Sequence, residues 1–260
     1  MTTIASNAAT AAFAPRDRLD GQVVVITGAA GAIGAASAHR FAALGARLAL
    51  IQREGHDRVL RELPGNGHFV IEASVTDSAR LRDVAAQVER TLGRAAILVN
   101  AAGWTKPVAA GELDALTDDL IDDMFAVHWR GTFAPIRAFA SQLKADGDGL
   151  IVNLSSIAGL SGLGSNLAYA AAKAGIDAST KALAKSLAPT IRVLAVSPGL
   201  LATGFVPGRD ASFYDRAAAS LPLRRVGTAD DIAAAIVACA TLLRYATGSV
   251  FVVDGGRHLG

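Results

Sequence analysis

Short unbroken apolar runs alternate with amphipathic stretches along most of this chain, and the two patterns keep different periods. Val23-Val24-Val25-Ile26 is a β-branched run closed by Thr27 and a glycine-rich turn, after which Ile33, Ser37, Phe41 and Leu44 recur at helical spacing. A strand followed by a helix is therefore expected at the start. Ala46–Ile51 and His68–Ser74 predict two further strands, and Thr76-Asp77-Ser78 opens a helix whose apolar positions Leu81, Val84 and Val88 keep the 3.6 period. Ala95–Asn100, Gly149–Leu154, Ile191–Val196 and Ser249–Val253 read as four more strands. Helices are expected over about 115–144 with an interruption near Gly131, over 166–187 and over 229–245, while 200–226 shows no regular pattern. The strands are continuously apolar instead of alternating, as happens when helices cover both faces of a parallel sheet. The expected fold class is α/β: a doubly wound parallel sheet in a three-layer α/β/α sandwich.

The remaining bulk properties narrow this picture only a little. A length of 260 residues suits one α/β domain, expected over 19–260, with residues 1–18 as a flexible extension. The 25 basic and 23 acidic residues nearly balance, which argues against nucleic acid or an anionic membrane surface as a partner and favours small molecules. The single cysteine, Cys239, lies in an apolar run and reads as a buried small hydrophobe. The first fourteen residues lack the basic and apolar regions of a signal peptide, and no stretch reaches the roughly 18 apolar residues of a membrane span. A cytoplasmic protein is expected. The five histidines (39, 56, 68, 128 and 258) have no ligand spacing, so no metal is expected.

Ligands of such sheets bind beyond the carboxyl ends of the strands, and the unusual clusters at 28–34, 52–53, 100–103, 155–156 and 198–203 all fall at such ends. Glycines at 28, 31 and 34 would let backbone N–H groups and a helix N-terminus approach a pyrophosphate. An ordinary strand-to-helix turn can look the same. Tyr169 and Lys173 are four apart on a predicted helix, hence on one face. A free tyrosine, with a pKa of about 10, is a poor base at neutral pH, but a neighbouring ammonium favours the phenolate, and a drop of about 3 pKa units is worth about 4 kcal/mol. Taken alone, this spacing also suits a solvated helix face.

Together these landmarks resemble the short-chain dehydrogenase/reductases of the single-domain type, over about residues 20–257. The resemblance rests on Thr27-Gly28 through Gly34, Asn100-Ala-Ala-Gly103, Asn153-Leu-Ser-Ser156, Tyr169 to Lys173, Ser197-Pro-Gly199 with Thr203, and Asp254-Gly-Gly256. It implies a Rossmann-like fold and an NAD(P)-dependent oxidoreductase interconverting a secondary alcohol and a ketone. By the same resemblance, Ser156 would bond the substrate oxygen, Ser155 would be structural, Tyr169 would move the proton, and Lys173 would bind the nicotinamide ribose and lower the Tyr169 pKa. Cofactor contacts are implied at Thr27, Gly28, Gly31, Ile33, Gly34, Arg53, Ser74, Val75, Asn100, Ala101, Gly103, Tyr169, Lys173, Pro198, Gly199 and Thr203. A homotetramer or homodimer, with a small alcohol or ketone as substrate, is also implied.

Four positions depart from the family pattern: Ala32 where a glycine is usual, Ser74 for a frequent aspartate, Leu194 for a frequent asparagine, and His128 for the asparagine that holds a relay water and keeps a helix kinked. His128 either takes over that relay as a catalytic residue or is bonded to nearby backbone. At the end of the second strand, neutral Gln52 followed by Arg53 removes the repulsion of a ribose 2′-phosphate and offers it a guanidinium fork, so NADP(H) is expected over NAD(H). The competing reading of Arg53 is a solvated turn residue. Trp104, Trp129, Phe205, Phe213 and Tyr214 either shape an apolar pocket or pack elsewhere, and Arg224 and Arg225 either meet an acidic substrate or are solvated. The alternative function is a non-catalytic dinucleotide-binding sensor or scaffold, which loss of Ser156, Tyr169 or Lys173 would have favoured.

Overall fold

A computed structural model describes residues 15–54 and 58–259. Residues 1–14 of the expected extension, and His56, lie outside them. The chain runs β1 (Val23–Thr27), α1 (Ala32–Ala43), β2 (Arg47–Gln52), α2 (Arg58–Glu62), β3 (Phe69–Glu72), α3 (Ser78–Leu92), β4 (Ala95–Asn100), α4 (Asp118–Met124), α5 (Gly131–Ala145) and β5 (Gly149–Leu154). It continues through α6 (Ala158–Ser161), α7 (Leu167–Leu187), β6 (Ile191–Pro198), α8 (Ala211–Ser220), α9 (Ala229–Thr241) and β7 (Val250–Val253). The seven strands form one sheet in the order β3-β2-β1-β4-β5-β6-β7, and every pairing is parallel. This is the doubly wound, Rossmann-like sandwich expected from the continuous apolar runs.

Both faces of the sheet are buried, and β1 shows why its sequence does not alternate. Val24 and Ile26 pack with Phe41 of α1 and with Ile232, Ile236 and Cys239 of α9. Val23 and Val25 face the other way, into a cluster with Val84 and Val88 of α3 and Ile136 and Phe139 of α5. A polar residue at any of these strand positions would meet a core on either side. Full burial of one such side chain contributes about 1.5–3 kcal/mol.

The order of strands reverses between β1 and β4, so two neighbouring chains leave the sheet in opposite directions and open a crevice at their carboxyl ends. Thr27 is paired in register with Asn100, and Asn100 with Asn153, which brings three predicted landmarks level with each other. Their polar side chains then tie the edge together: the Asn100 amide donates to Asn153 Oδ1 at 3.0 Å, and the Asn153 amide donates to the Thr180 hydroxyl of α7 at 3.0 Å.

The break expected near Gly131 is a π-helical stretch over Phe125–Arg130, between α4 and α5. Elsewhere the structure corrects the sequence reading. The segment 200–226 contains α8, capped by Asp210, whose carboxylate accepts from the Phe213 N–H at 2.8 Å. None of its residues is fully buried, and its inner face, Phe213, Tyr214, Ala217 and Ala218, is short and only half-buried, a weak signal for periodicity. The third strand is shorter than expected, β6 reaches Pro198, and α9 stops at Thr241 where the N–H groups of Leu242 and Leu243 share the Ala238 carbonyl. The end of the supposed extension is anchored, because Arg16 donates to Asp148 at 2.5 Å and through its N–H to the Thr241 carbonyl at 2.9 Å.

Candidate active site

Beyond the carboxyl ends of β1, β4, β5 and β6 lies a cavity of about 470 Å³. Its walls come from the β1–α1 turn, from residues 101–103, from 154–158, from α7 and from the 198–209 stretch, with Arg257 at the C-terminal end. Cavities of this size commonly hold small molecules and cofactors.

The β1–α1 turn is built by close approach. Gly28 has φ +68°, and a Cβ there would come within 2.6 Å of Ala102 Cα, so the turn can lie against residues 101–103 only with glycine. A Cβ on Gly34 would sit 2.3 Å from the Gly28 carbonyl oxygen. Gly31 has an ordinary φ of −71° and is the residue that opens α1. Ala32, the first residue of the helix, therefore carries its methyl group without disturbing the loop, and the departure at that position leaves the cradle intact. Gly28, Gly31, Ile33 and Gly34 all line the cavity.

On the other side, α7 presents Tyr169 and Lys173 to the same space. Asn166 caps this helix, its side-chain oxygen accepting the Tyr169 N–H at 2.7 Å while its amide donates to the Lys106 carbonyl at 2.9 Å. Ser156 follows β5 and lines the cavity beside Tyr169, and its hydroxyl accepts the Ala158 N–H at 3.2 Å. Ser155 turns inward and donates to the Lys173 carbonyl at 3.4 Å. That matches the structural role implied for it.

Electrostatics in this site depart from one expectation. Burial pushes the Tyr169 phenol up to about 12, with the Ser156 hydroxyl pulling weakly the other way. Lys173 stands 5.6 Å from the centre of the Tyr169 ring, but its ammonium donates to the Leu154 carbonyl at 2.6 Å. Burial brings Lys173 itself down to about 7, opposed by the Asp177 carboxylate one turn further along α7. Desolvation of the phenolate sets the direction for Tyr169, opposite to the lowering expected from Lys173.

His128 sits in the π-helical stretch and is wholly buried. Its Nε2 lies 2.7 Å from the Trp104 carbonyl, which can only accept, so Nε2 carries the proton and Nδ1 is left as an acceptor. No protein group among the described residues bonds that Nδ1. Burial first, and Lys173 second, bring His128 down to about 3, so the ring is neutral. It meets the Tyr169 ring edge to face, with centroids 5.0 Å apart. The backbone bond expected under the simpler reading is present, and the free Nδ1 leaves the relay reading open beside it.

Of the other expected cofactor contacts, Ala101, Gly103, Pro198, Gly199 and Thr203 line the cavity. Thr27 and Asn100 are buried within the sheet edge and do not; the Thr27 hydroxyl accepts from the Ala101 N–H at 3.2 Å and holds that strand end in place. Ser74 bonds the Thr76 hydroxyl at 2.8 Å, Val75 is buried against Gly131, and Arg53 is exposed at the end of β2, all three outside the cavity wall. Among the five flagged aromatics only Phe205 lines the cavity, its ring 6.1 Å from that of Tyr169. Trp104 packs near Val108 and Met124, whereas Trp129 lies on the outer face, stacked on Phe133. Arg224 donates to the Ala219 carbonyl, and Arg225 pairs with Asp231 at 2.7 Å on the surface. Two arginines that the sequence did not single out, Arg209 and Arg257, line the cavity instead.

A glycine cradle and a Ser-Tyr-Lys group thus line a single cavity. Residues 28–258 match the family profile described as enoyl-(acyl carrier protein) reductase. The chain belongs to the short-chain dehydrogenase/reductase family. Across 92% of its length it is 34% identical to the 3-oxoacyl-[acyl-carrier-protein] reductase of Thermotoga maritima, covering 98% of that protein. It is 36% identical to the galactitol 2-dehydrogenase (L-tagatose-forming) of Cereibacter sphaeroides, covering 92% of this chain and 96% of that one. A crystal structure of a short-chain dehydrogenase/reductase from Brucella melitensis superposes with a TM-score of 0.85 at 29% identity, over 93% of this chain and 98% of that one. Short-chain dehydrogenase/reductases are oxidoreductases of alcohols and ketones that use NAD(P)(H), and this chain has the fold of that family. Among the described residues no helix is long and apolar enough to cross a membrane.

Proposed function

We propose that this short-chain dehydrogenase/reductase reduces a ketone to a secondary alcohol with NADP(H), and that it catalyses the reverse reaction under oxidising conditions. The observation that carries the reading is the convergence of Ser156, Tyr169 and Lys173 on the cavity that the Gly28–Gly34 turn also lines. The dinucleotide fits this chain's groups: the N-terminus of α1 and the turn would hold the diphosphate, Lys173 the ribose hydroxyls, and the 198–203 stretch the nicotinamide. When bound, the cofactor supplies or accepts the hydride.

Everything else in the reaction falls to the side chains. Ser156 donates a hydrogen bond to the substrate oxygen, and Tyr169 gives it a proton as the carbon receives the hydride. A phenol held near 12 is protonated at neutral pH, the form that donates in the reductive direction. Lys173, near 7, stands behind Tyr169 to assist its reprotonation from solvent. His128, neutral with a free Nδ1, holds the relay water beside Lys173. Arg53, exposed at the end of β2, is the group assigned to the ribose 2′-phosphate. The exposed, stacked Trp129 and Phe133 support a homodimer or homotetramer through the outer faces of α5 and α7.

The test is an NADPH oxidation assay against a panel of ketones with the wild type and with Tyr169→Phe. Turnover by the wild type that the variant loses supports the reading. NADPH binding without turnover of any ketone would favour the sensor or scaffold, and a His128→Ala variant with an unchanged pH profile would remove His128 from the relay.

A further inference from the structure

Besides the neutral His128, the cavity wall contains Lys173, Arg209 and Arg257 and, among the described residues, no aspartate or glutamate. Lys173 is accounted for by the ribose and the proton path. The two arginines are not.

Among the described residues, neither has an acidic partner. Arg209 stacks over the Phe213 ring, its guanidinium carbon 4.8 Å from the ring centre, which orients the fork without neutralising it. Its neighbour Asp210 is occupied at the start of α8, where it accepts from the Phe213 N–H and the Ser212 hydroxyl. Arg257 follows the Asp254-Gly-Gly turn, and Asp254 is likewise engaged, accepting from the N–H groups of Gly256 and His258 and from the His258 ring at 2.8 Å. The two guanidiniums are near enough to oppose each other's charge; Arg209 is half-buried and Arg257 is exposed. An anion placed between two like-charged guanidiniums on one cavity wall relieves their repulsion and can accept from both forks.

Their place in the sheet says whose anion it is. Arg257 follows β7, which is four strands from β1 in the sheet order, roughly 19 Å away at about 4.8 Å per strand. The diphosphate cradle is at the end of β1. Arg209 lies beyond Phe205, whose ring adjoins Tyr169. Both arginines therefore belong to the reacting end of the cavity.

We infer that the alcohol or ketone handled by this chain carries an anionic group, a carboxylate or a phosphate, held between Arg209 and Arg257 while its reacting carbon lies at Ser156 and Tyr169. This rests on the function proposed above. The apolar wall of Leu163, Phe205 and Val206 would cover the carbon chain between the two ends.

Paired probes that differ only in charge test it: 4-oxopentanoate against its methyl ester, and dihydroxyacetone phosphate against dihydroxyacetone. Binding of each to the NADPH-loaded protein is measured by calorimetry, and NADPH affinity is measured separately. At least one anion is expected to bind tenfold or more tightly than its neutral partner. That preference should vanish in the Arg209→Gln/Arg257→Gln double variant and persist in part in Arg209→Lys, with NADPH affinity within twofold of the wild type. The comparison of the two pairs tells carboxylate from phosphate. Equal binding within both pairs overturns the inference. So does a double variant that loses NADPH affinity as strongly as anion affinity, because the arginines would then serve the cofactor. Selective anion binding without turnover would leave this inference standing and sink the reductase reading.

Discussion

The two ends of the parallel sheet treat charge in opposite ways. At the amino-terminal end, Asp148 just before β5 is held by Arg16 at 2.5 Å and by the nearly buried Arg244 at 2.6 Å. Close by, the Arg192 guanidinium donates to the carbonyls of Cys239 and Leu243 at 3.2 and 3.0 Å. Charges there are enclosed and answered by the chain's own carbonyls and carboxylate. At the carboxyl end, among the described residues, Arg209 and Arg257 have no carboxylate, Lys173 is down to about 7, and His128 keeps a buried acceptor that no side chain meets. One end fastens the fold; the other is left incomplete for a ligand. A buried acceptor without a protein partner, such as His128 Nδ1 beside the cavity, is costly enough to mark a place for a ligand or water.

The comparison breaks most sharply at Tyr169. Tyr169→Phe removes the proton donor and no packing atom beyond the hydroxyl, so kcat is expected to fall about 10²–10⁴-fold with the melting temperature nearly unchanged, as a paired assay and thermal scan would show. The mirror experiment is Asp148→Ala. It leaves Arg244 buried beside an empty position, and a loss of about 2–3 kcal/mol in urea unfolding is expected, below the cost for a fully enclosed pair because Asp148 is itself partly exposed. Its kcat per folded molecule should match the wild type. A stable Asp148→Ala protein, or an unfolded Tyr169→Phe protein, would mean the division between the two ends is drawn in the wrong place.

His128 offers a sharper test because it touches both stability and site. Its pKa is near 3 in the folded protein against 6.5 for the free side chain. The folded state binds fewer protons than the unfolded state between those values, so stability falls as pH drops below about 6.5 and continues to fall until about 3. By linkage, this one group costs about 2 kcal/mol on going from neutral pH to pH 5. His128→Asn should flatten that part of the stability curve, measured as the urea midpoint against pH. The smallest effect is expected at the rim. Arg53→Ala should weaken NADPH binding about tenfold, or about 1.4 kcal/mol, and leave NADH binding unchanged in a fluorescence titration. Equal loss for both cofactors would remove Arg53 from the 2′-phosphate.

The element boundaries of the sheet were largely legible because burial on both faces forces continuous apolar runs such as Val23–Ile26, and a run of that kind is a local property. Tyr169 and Lys173 were legible for a similar reason: four residues apart on a helix guarantees a shared face. The helix α8 was hidden because its inner face is short and only half-buried, which leaves a weak pattern to repeat. Arg209 and Arg257 were hidden because their meeting depends on how the stretch after β6 and the C-terminal turn fold back over the cavity, which no local spacing encodes. Arg224 and Arg225, adjacent in sequence and conspicuous for it, point to the surface.

By itself, then, the sequence determined the strands and most of the helices, the glycine turn and the shared helix face of Tyr169 and Lys173, all of which follow from backbone freedom and helical or strand period. Only the tertiary structure decided the state of the tyrosine. Whether Tyr169 is a phenol or a phenolate, whether His128 is charged, and which arginines face the cavity depend on desolvation and on contacts between residues far apart in the chain. Both are properties of the closed core and of no segment within it.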